Sequence, residues 1–258
     1  MQKSRVSYKE RVLFEVSKYL DAIEKGSPFS RFHLTGLGPV KEIEEYFSKY
    51  YSCGFGLSFS SATNALTAVA LFLDLQEGDE VIIAPHNWGS SIAGLVEFTK
   101  AKLVIAEADD NGNIDTRSLK ELTTHRTKAI WACDFEGHPH NTVGIRRFCN
   151  EHQLVYVADA AQSFGQHIAG LPASALADAI VLSFGSGKPI DAGEGGMLVT
   201  KDKEMFEYCL RFQHPYRSMI ELGIETENEL YPINGRISPI SAIIINEHIK
   251  QNPCTHHP

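Results

Sequence analysis

A lysine closes a small, glycine-rich turn in the segment Ser183-Phe184-Gly185-Ser186-Gly187-Lys188, and a second glycine cluster, Gly193-Glu194-Gly195-Gly196, follows shortly after. Most lysines are solvated surface charges. Lys188 instead comes just after an apolar run, where partial desolvation would favour the neutral amine. That is the nucleophile a Schiff base with a carbonyl requires. The turn also reads as a phosphate loop, although it lacks the glycine spacing of a Walker A motif. Asp159 follows another apolar run in Asp159-Ala160-Ala161-Gln162-Ser163. A carboxylate there can face a cationic group on a ligand or simply cap a helix, and taken alone the capping reading weighs more. Ser60-Ser61-Ala62-Thr63-Asn64 leads into a helical pattern. Small and hydroxyl residues at a helix N-terminus form an anion site from free N–H groups and the helix dipole, or else a plain Ser/Thr cap. Trp88, in Pro85-His86-Asn87-Trp88, offers a flat apolar face near the same edge, or a core residue.

These groups need elements to position them. Short continuous apolar runs recur at Val81-Ile82-Ile83-Ala84, Leu103-Val104-Ile105-Ala106, Ala129-Ile130-Trp131-Ala132, Leu154-Val155-Tyr156-Val157-Ala158, Ala179-Ile180-Val181-Leu182 and Met197-Leu198-Val199. Continuous rather than alternating runs predict strands covered on both faces, as in a parallel sheet between helices. Helical patterns at 63–75, 116–123 and 141–152 separate them. Two amphipathic helices precede them, one over residues 5–25 and one after Thr35-Gly36-Leu37-Gly38-Pro39. This βαβ rhythm predicts an α/β fold with a mostly parallel sheet flanked by helices in three layers. Ligands of such sheets sit beyond the carboxyl ends of the strands, where Asp159, Ser183 and Lys188 fall.

Composition narrows the class. The 258 residues are 43% hydrophobic and carry a net charge of -8, ample for a large core. No basic stripe suggests nucleic acid as a partner. The longest apolar runs are too short to span a bilayer, and the N-terminus MQKSRVSYKERVLFEV lacks an apolar signal core, so a cytoplasmic protein is expected. The five cysteines form no C-x-x-C pair, which suggests neither a disulfide framework nor a zinc site. His138-x-His140 lacks a third ligand at a plausible spacing, so no metal is expected.

In combination and order these segments resemble the DegT/DnrJ/EryC1/StrS family, the sugar aminotransferases within fold type I of the pyridoxal-phosphate enzymes. The resemblance runs from about Gly36 to about Ile249. It rests on Gly36-Leu37-Gly38-Pro39-Val40 with Glu42, Glu44 and Glu45, Ser61-Ala62-Thr63-Asn64-Ala65-Leu66, and Gly78-Asp79-Glu80-Val81-Ile82 with Pro85. It continues through Gly137-His138-Pro139, Asp159-Ala160-Ala161-Gln162, Ser183-Phe184, Lys188, Gly193-Glu194-Gly195-Gly196 and Asn234-Gly235-Arg236.

The resemblance implies pyridoxal 5'-phosphate as cofactor, held covalently by Lys188, which would also move the proton at the substrate α-carbon. Asp159 would pair with the pyridine nitrogen and keep it protonated, so that the ring accepts electrons. Gln162 would contact the ring oxygen and Trp88 would stack on the ring face. Ala62 and Thr63, with Ser183, would cradle the phosphate. Asn234 would reach the phosphate of a neighbouring subunit, which implies a homodimer, although an Asn-Gly turn is the other reading. Implied substrates are an amino-acid donor, glutamate or glutamine, and a nucleotide-linked keto sugar. A sugar dehydratase on the same cofactor is less favoured, because those relatives replace the lysine that Lys188 retains.

Three departures stand out. Ala62 and Asn64 replace a usual glycine and alanine, and the chain stops at Pro258 where family members continue into a small domain. The expected organisation is an N-terminal helical segment (1–35), a cofactor-binding large domain (36–236), and the start of a linking helix with a broken-off tail (237–258), the C-terminal small domain being largely absent. A natural short form, a frameshifted product and half of a split enzyme all fit this. The alternative to an active transaminase is thus a cofactor-binding protein with little catalysis of its own.

Overall fold

A computed structural model describes residues 7–26, 37–214 and 233–252. Gly36, the first residue of the resemblance, lies outside them. The chain begins with α1 (Tyr8–Glu24), opened by a reciprocal capping box between Ser7 and Glu10. Proline in the first turn starts α2 (Pro39–Tyr50). Then come β1 (Phe55–Phe59), α3 (Ala62–Phe72), β2 (Glu80–Ile83), α4 (Gly89–Phe98), β3 (Lys102–Ile105), a one-turn α5 (Leu119–Leu122) and β4 (Thr127–Cys133). These are followed by α6 (Thr142–His152), β5 (Val155–Asp159), a small hairpin of β6 (His167–Ile168) and β7 (Leu171–Pro172), β8 (Ala179–Ser183) and β9 (Gly196–Thr200). Two helices complete the described chain, α7 (Lys203–Gln213) and α8 (Pro239–Gln251).

Seven strands form one sheet in the order β1-β9-β8-β5-β4-β2-β3. The pairs from β8 to β3 are parallel, whereas β9 runs antiparallel to both β1 and β8. Side chains alternate across the sheet, so neighbouring residues enter different cores. Val81, Ile83, Trp131, Val157 and Val181 face α3, α4 and α7. Ile82, Ile130, Tyr156, Ile180 and Met197 face α2, α6 and α8. The result is a three-layer α/β/α body, as the continuous apolar runs predict.

β3 departs from that expectation. It is an edge strand, and its Ile105 is 64% exposed rather than covered on both faces. Asp159 caps no helix, because a turn rather than a helix follows β5. Residues 116–123 supply only the single turn of α5. Cys53, Cys133, Cys149 and Cys209 are free thiols. Among the described residues no helix is long and apolar enough to cross a membrane.

Candidate functional site

The carboxyl ends of β1, β5 and β8 and the start of the antiparallel β9 meet on one edge of the sheet. Gly196 pairs with Phe59 on one side and with Ser183 on the other. A side chain at Gly196 would place its Cβ 2.4 Å from the Ser61 backbone and 2.5 Å from the Ala62 nitrogen. Only glycine therefore lets β9 pass directly beneath the N-terminus of α3. Ser61 caps that helix, its hydroxyl accepting the Asn64 N–H at 3.2 Å. The amides of the first two helical residues, Ala62 and Thr63, have no partner within the helix by geometry. With the helix dipole they make this end suited to an anion, and Ser183 pairs with the Gly196 that passes beneath it. Asn64, where the family usually has alanine, donates its side-chain amide to Ser60 Oγ at 2.7 Å.

Lys188 lies on the loop from β8 to β9. Phe184 donates to the Gly195 carbonyl and Ala192 to the Phe184 carbonyl, both at 2.9 Å, which pinches the loop at its base. Gly187 takes a positive φ of 79° immediately before the lysine, a conformation other residues rarely adopt. The Asp191 carboxylate staples the tip by accepting from Gly187 N–H at 3.0 Å and Gly193 N–H at 2.9 Å. Those two amides hold the Asp191 carboxyl below its ordinary value. Lys188 itself is half-buried.

Asp159 is 5% exposed at the end of β5. Ser91, in the first turn of α4, donates to its Oδ2 at 2.5 Å, and the Ala161 N–H donates to its Oδ1 at 3.0 Å. Burial pushes the carboxyl up, the bonds from Ser91 and Ala161 and the Lys188 charge oppose this, and the net shift is upward. The lysine charge is also felt at Cys133, the register partner of Asp159, where burial dominates and raises the thiol. Asp159 ends β5 and Lys188 follows β8, and these two strands pair in parallel, so both residues lie at the same end of the sheet.

Trp88 precedes α4, and its carbonyl accepts the Ser91 N–H at 2.8 Å. The turn that presents the indole is thus the turn that holds Asp159. The indole is 78% exposed, so it is not the core residue the alternative reading allows. Gln162 is half-buried in the turn after Asp159. Asn234 is exposed, and the adjoining Gly235 carbonyl accepts the Ser60 N–H at 2.6 Å. This places residue 234 beside the Ser61 turn of its own chain.

Sequence reasoning passed over Ser91, Asp134 and Asp191. Asp134 follows the β4 run directly, so the rule that points to Asp159 would also have found it. It is fully buried. His140 Nδ1 lies 2.6 Å from its Oδ1, and the hydroxyls of Ser163 and Ser174 donate to its Oδ2 at 2.5 and 2.7 Å. Burial alone would raise the carboxyl, but the His140 charge and these bonds outweigh it and hold it low. The other His140 ring nitrogen meets the Tyr156 hydroxyl. His140 thus serves a buried network, and among the described residues no three His, Cys, Asp or Glu groups gather as a metal site.

The donor set suits a ligand with an anionic end, a cationic group and an electrophilic carbonyl: paired helix-end amides, a buried carboxylate and a half-buried amine. The sequence profile described as the DegT/DnrJ/EryC1/StrS aminotransferase family matches residues 30–253. The chain belongs to that family. Among its relatives is the GDP-perosamine synthase of Escherichia coli O157:H7, 29% identical over 175 residues, covering 67% of this chain and 48% of the relative. Helicobacter pylori PseC, an aminotransferase involved in pseudoaminic acid biosynthesis, superposes with a TM-score of 0.78 at 26% identity. That match covers 95% of this chain and 63% of PseC. DesI, solved in the presence of its TDP-sugar product, gives a TM-score of 0.78 at 25% identity, covering 96% of this chain and 59% of DesI. The chain spans about half the length of the curated relatives it matches.

Proposed function

We propose that this chain binds pyridoxal 5'-phosphate and serves an aminotransferase that moves an amino group from glutamate or glutamine to a keto group of a nucleotide-linked sugar. The observation that carries the reading is the convergence of Lys188, Asp159 and the Ala62–Thr63 amides on one sheet edge. Bound there, pyridoxal phosphate supplies an electrophilic carbonyl and an electron-accepting ring. The Lys188 amine anchors it and carries the proton to and from the substrate α-carbon. Asp159 holds a proton on the ring nitrogen. A buried carboxylate with a raised pKa gains most from such a cationic partner, which favours its ionised form. Ala62, Thr63 and Ser183 bind the phosphate, Trp88 covers one ring face, and Gln162 contacts the ring oxygen. Asn234 completes the phosphate site of a second subunit in a homodimer. The likeness to PseC, to DesI solved with its TDP-sugar product, and to the GDP-perosamine synthase supports the substrate class.

The same proposal places the protein in the cytoplasm and divides it into a leading segment (1–35), a cofactor-binding body (36–236) and the start of a linking helix (237–258). Borohydride reduction and peptide mass mapping should put the cofactor's mass on the peptide containing Lys188. Reconstituted protein should then lose its cofactor absorbance band on addition of L-glutamate. No spectral change with any amino acid, in protein shown to hold the cofactor, removes the transaminase reading.

A further inference from the structure

Asp134 is a hub between four stretches of chain. Its backbone N–H donates to the carbonyl of Asp159 at 3.1 Å, tying the end of β4 to the residue proposed to face the ring nitrogen. Oδ1 accepts from the His140 backbone at 2.9 Å and lies 2.6 Å from its ring. Oδ2 accepts from two hydroxyls that are equally buried, at 0% exposure, but belong to different places. Ser163, at 2.5 Å, is the residue after Gln162, and its N–H closes the turn on the Ala160 carbonyl at 3.3 Å. Ser174, at 2.7 Å, comes later in the chain, beyond the β6–β7 hairpin, and is not part of the 159–163 turn. The Gln162 carbonyl in turn lies close against Gly137, where a Cβ would approach it to 3.0 Å.

A carboxylate buried this deeply is costly unless its lone pairs are filled and an opposite charge is near. His140 sets its ring Nδ1 2.6 Å from Oδ1 and is steadied on its far side by Tyr156, whose hydroxyl is bonded to Thr142 at 2.9 Å. The anion is therefore fixed in place, and groups bonded to it take their positions from it.

We propose that Asp134 is a positioning residue for the cofactor ring: paired with His140, it sets the 159–163 turn by holding the Asp159 backbone and, through Ser163, the Gln162 side of the ring. The inference rests on the proposed ring contacts of Asp159 and Gln162. Supporting groups behind a bound group commonly tune its affinity by an order of magnitude or more.

The two serines separate positioning from mere stability. Ser163→Ala and Ser174→Ala each remove one donor from the same oxygen and should lower the melting temperature of cofactor-free protein by similar amounts. Titration with pyridoxal phosphate, followed by absorbance, should show the Kd rise about tenfold in Ser163→Ala and stay within about twofold in Ser174→Ala. Ser163→Cys keeps a donor at this position, weaker and slightly larger than the hydroxyl, and should fall between wild type and alanine, which preserves the test if the alanine variant does not fold. Equal affinities in the Ser163 and Ser174 variants would overturn the inference and leave Asp134 purely structural. Wild-type protein that fails to bind pyridoxal phosphate would instead overturn the cofactor reading beneath it.

Discussion

At the scale of single residues, two buried carboxylates 25 positions apart in sequence carry opposite shifts for stated reasons. Asp159 is raised, because burial outweighs its hydrogen bonds from Ser91 and Ala161. A carboxylate raised in the fold contributes stability below its unfolded value and loses it as pH rises through the folded value. Cofactor-free Asp159→Asn should therefore melt higher than wild type at neutral pH, with the difference closing in acid. In reconstituted protein the same change should slow the half reaction with glutamate by about 100-fold or more, the usual cost of losing a buried electrostatic contact to the developing charge. Thermal melts against pH and single-turnover absorbance would check the two parts. Asp134 is held low, so the sign reverses: its contribution is present above the ordinary carboxylate value and lost as pH falls. Wild-type melting temperature should drop below about pH 4, and Asp134→Asn should show a flatter acid limb. Asp134→Ala, which leaves the His140 network without its anion, should cost about 3–5 kcal/mol in urea unfolding.

At the scale of elements, the phosphate end of the site depends on how closely β9 passes under α3. Gly196→Ala would drive a Cβ into the Ser61 backbone. That clash should cost about 1–3 kcal/mol of stability and weaken pyridoxal-phosphate binding, because the helix N-terminus must retreat. Ser61→Ala removes the N-cap bond to Asn64 and should cost about 1 kcal/mol. If Gly196→Ala unfolds the protein more easily yet leaves cofactor affinity unchanged, the anion site lies elsewhere. The Lys188 loop shows the same dependence on backbone geometry. Gly187 and the Asp191 staple bring the lysine to the sheet edge, and neither is a group the cofactor needs to touch.

At the scale of the whole molecule, the site faces outward on this chain. Trp88 is 78% exposed, and Asn234 stands exposed beside the Ser61 turn. A second subunit covering this edge would shield the indole and set each Asn234 against the other chain's phosphate. Sedimentation of cofactor-loaded protein should accordingly give the mass of a dimer, twice 28.6 kDa. A monomer with cofactor fully bound would refute the shared site.

The sequence by itself determined the layered α/β body and most of the candidate site. Buried parallel strands leave continuous apolar runs, and ligand-facing groups follow their carboxyl ends, so position made Asp159, Ser183 and Lys188 candidates without choosing between ligand contact and plain structure. Their joint meaning came from order, through the family resemblance. Three features were decided only in three dimensions. β3 is an exposed edge because strand order, unlike strand existence, is set by crossovers between distant segments. β9 runs antiparallel because the loop bearing Lys188 folds straight back on β8, a path that its apolar run does not encode. Ser91, Asp134 and Asp191 act through contacts with chain up to 68, 40 and 5 residues away, respectively. A serine or aspartate looks the same in sequence whether it faces water or a buried carboxylate, and only packing chooses between them.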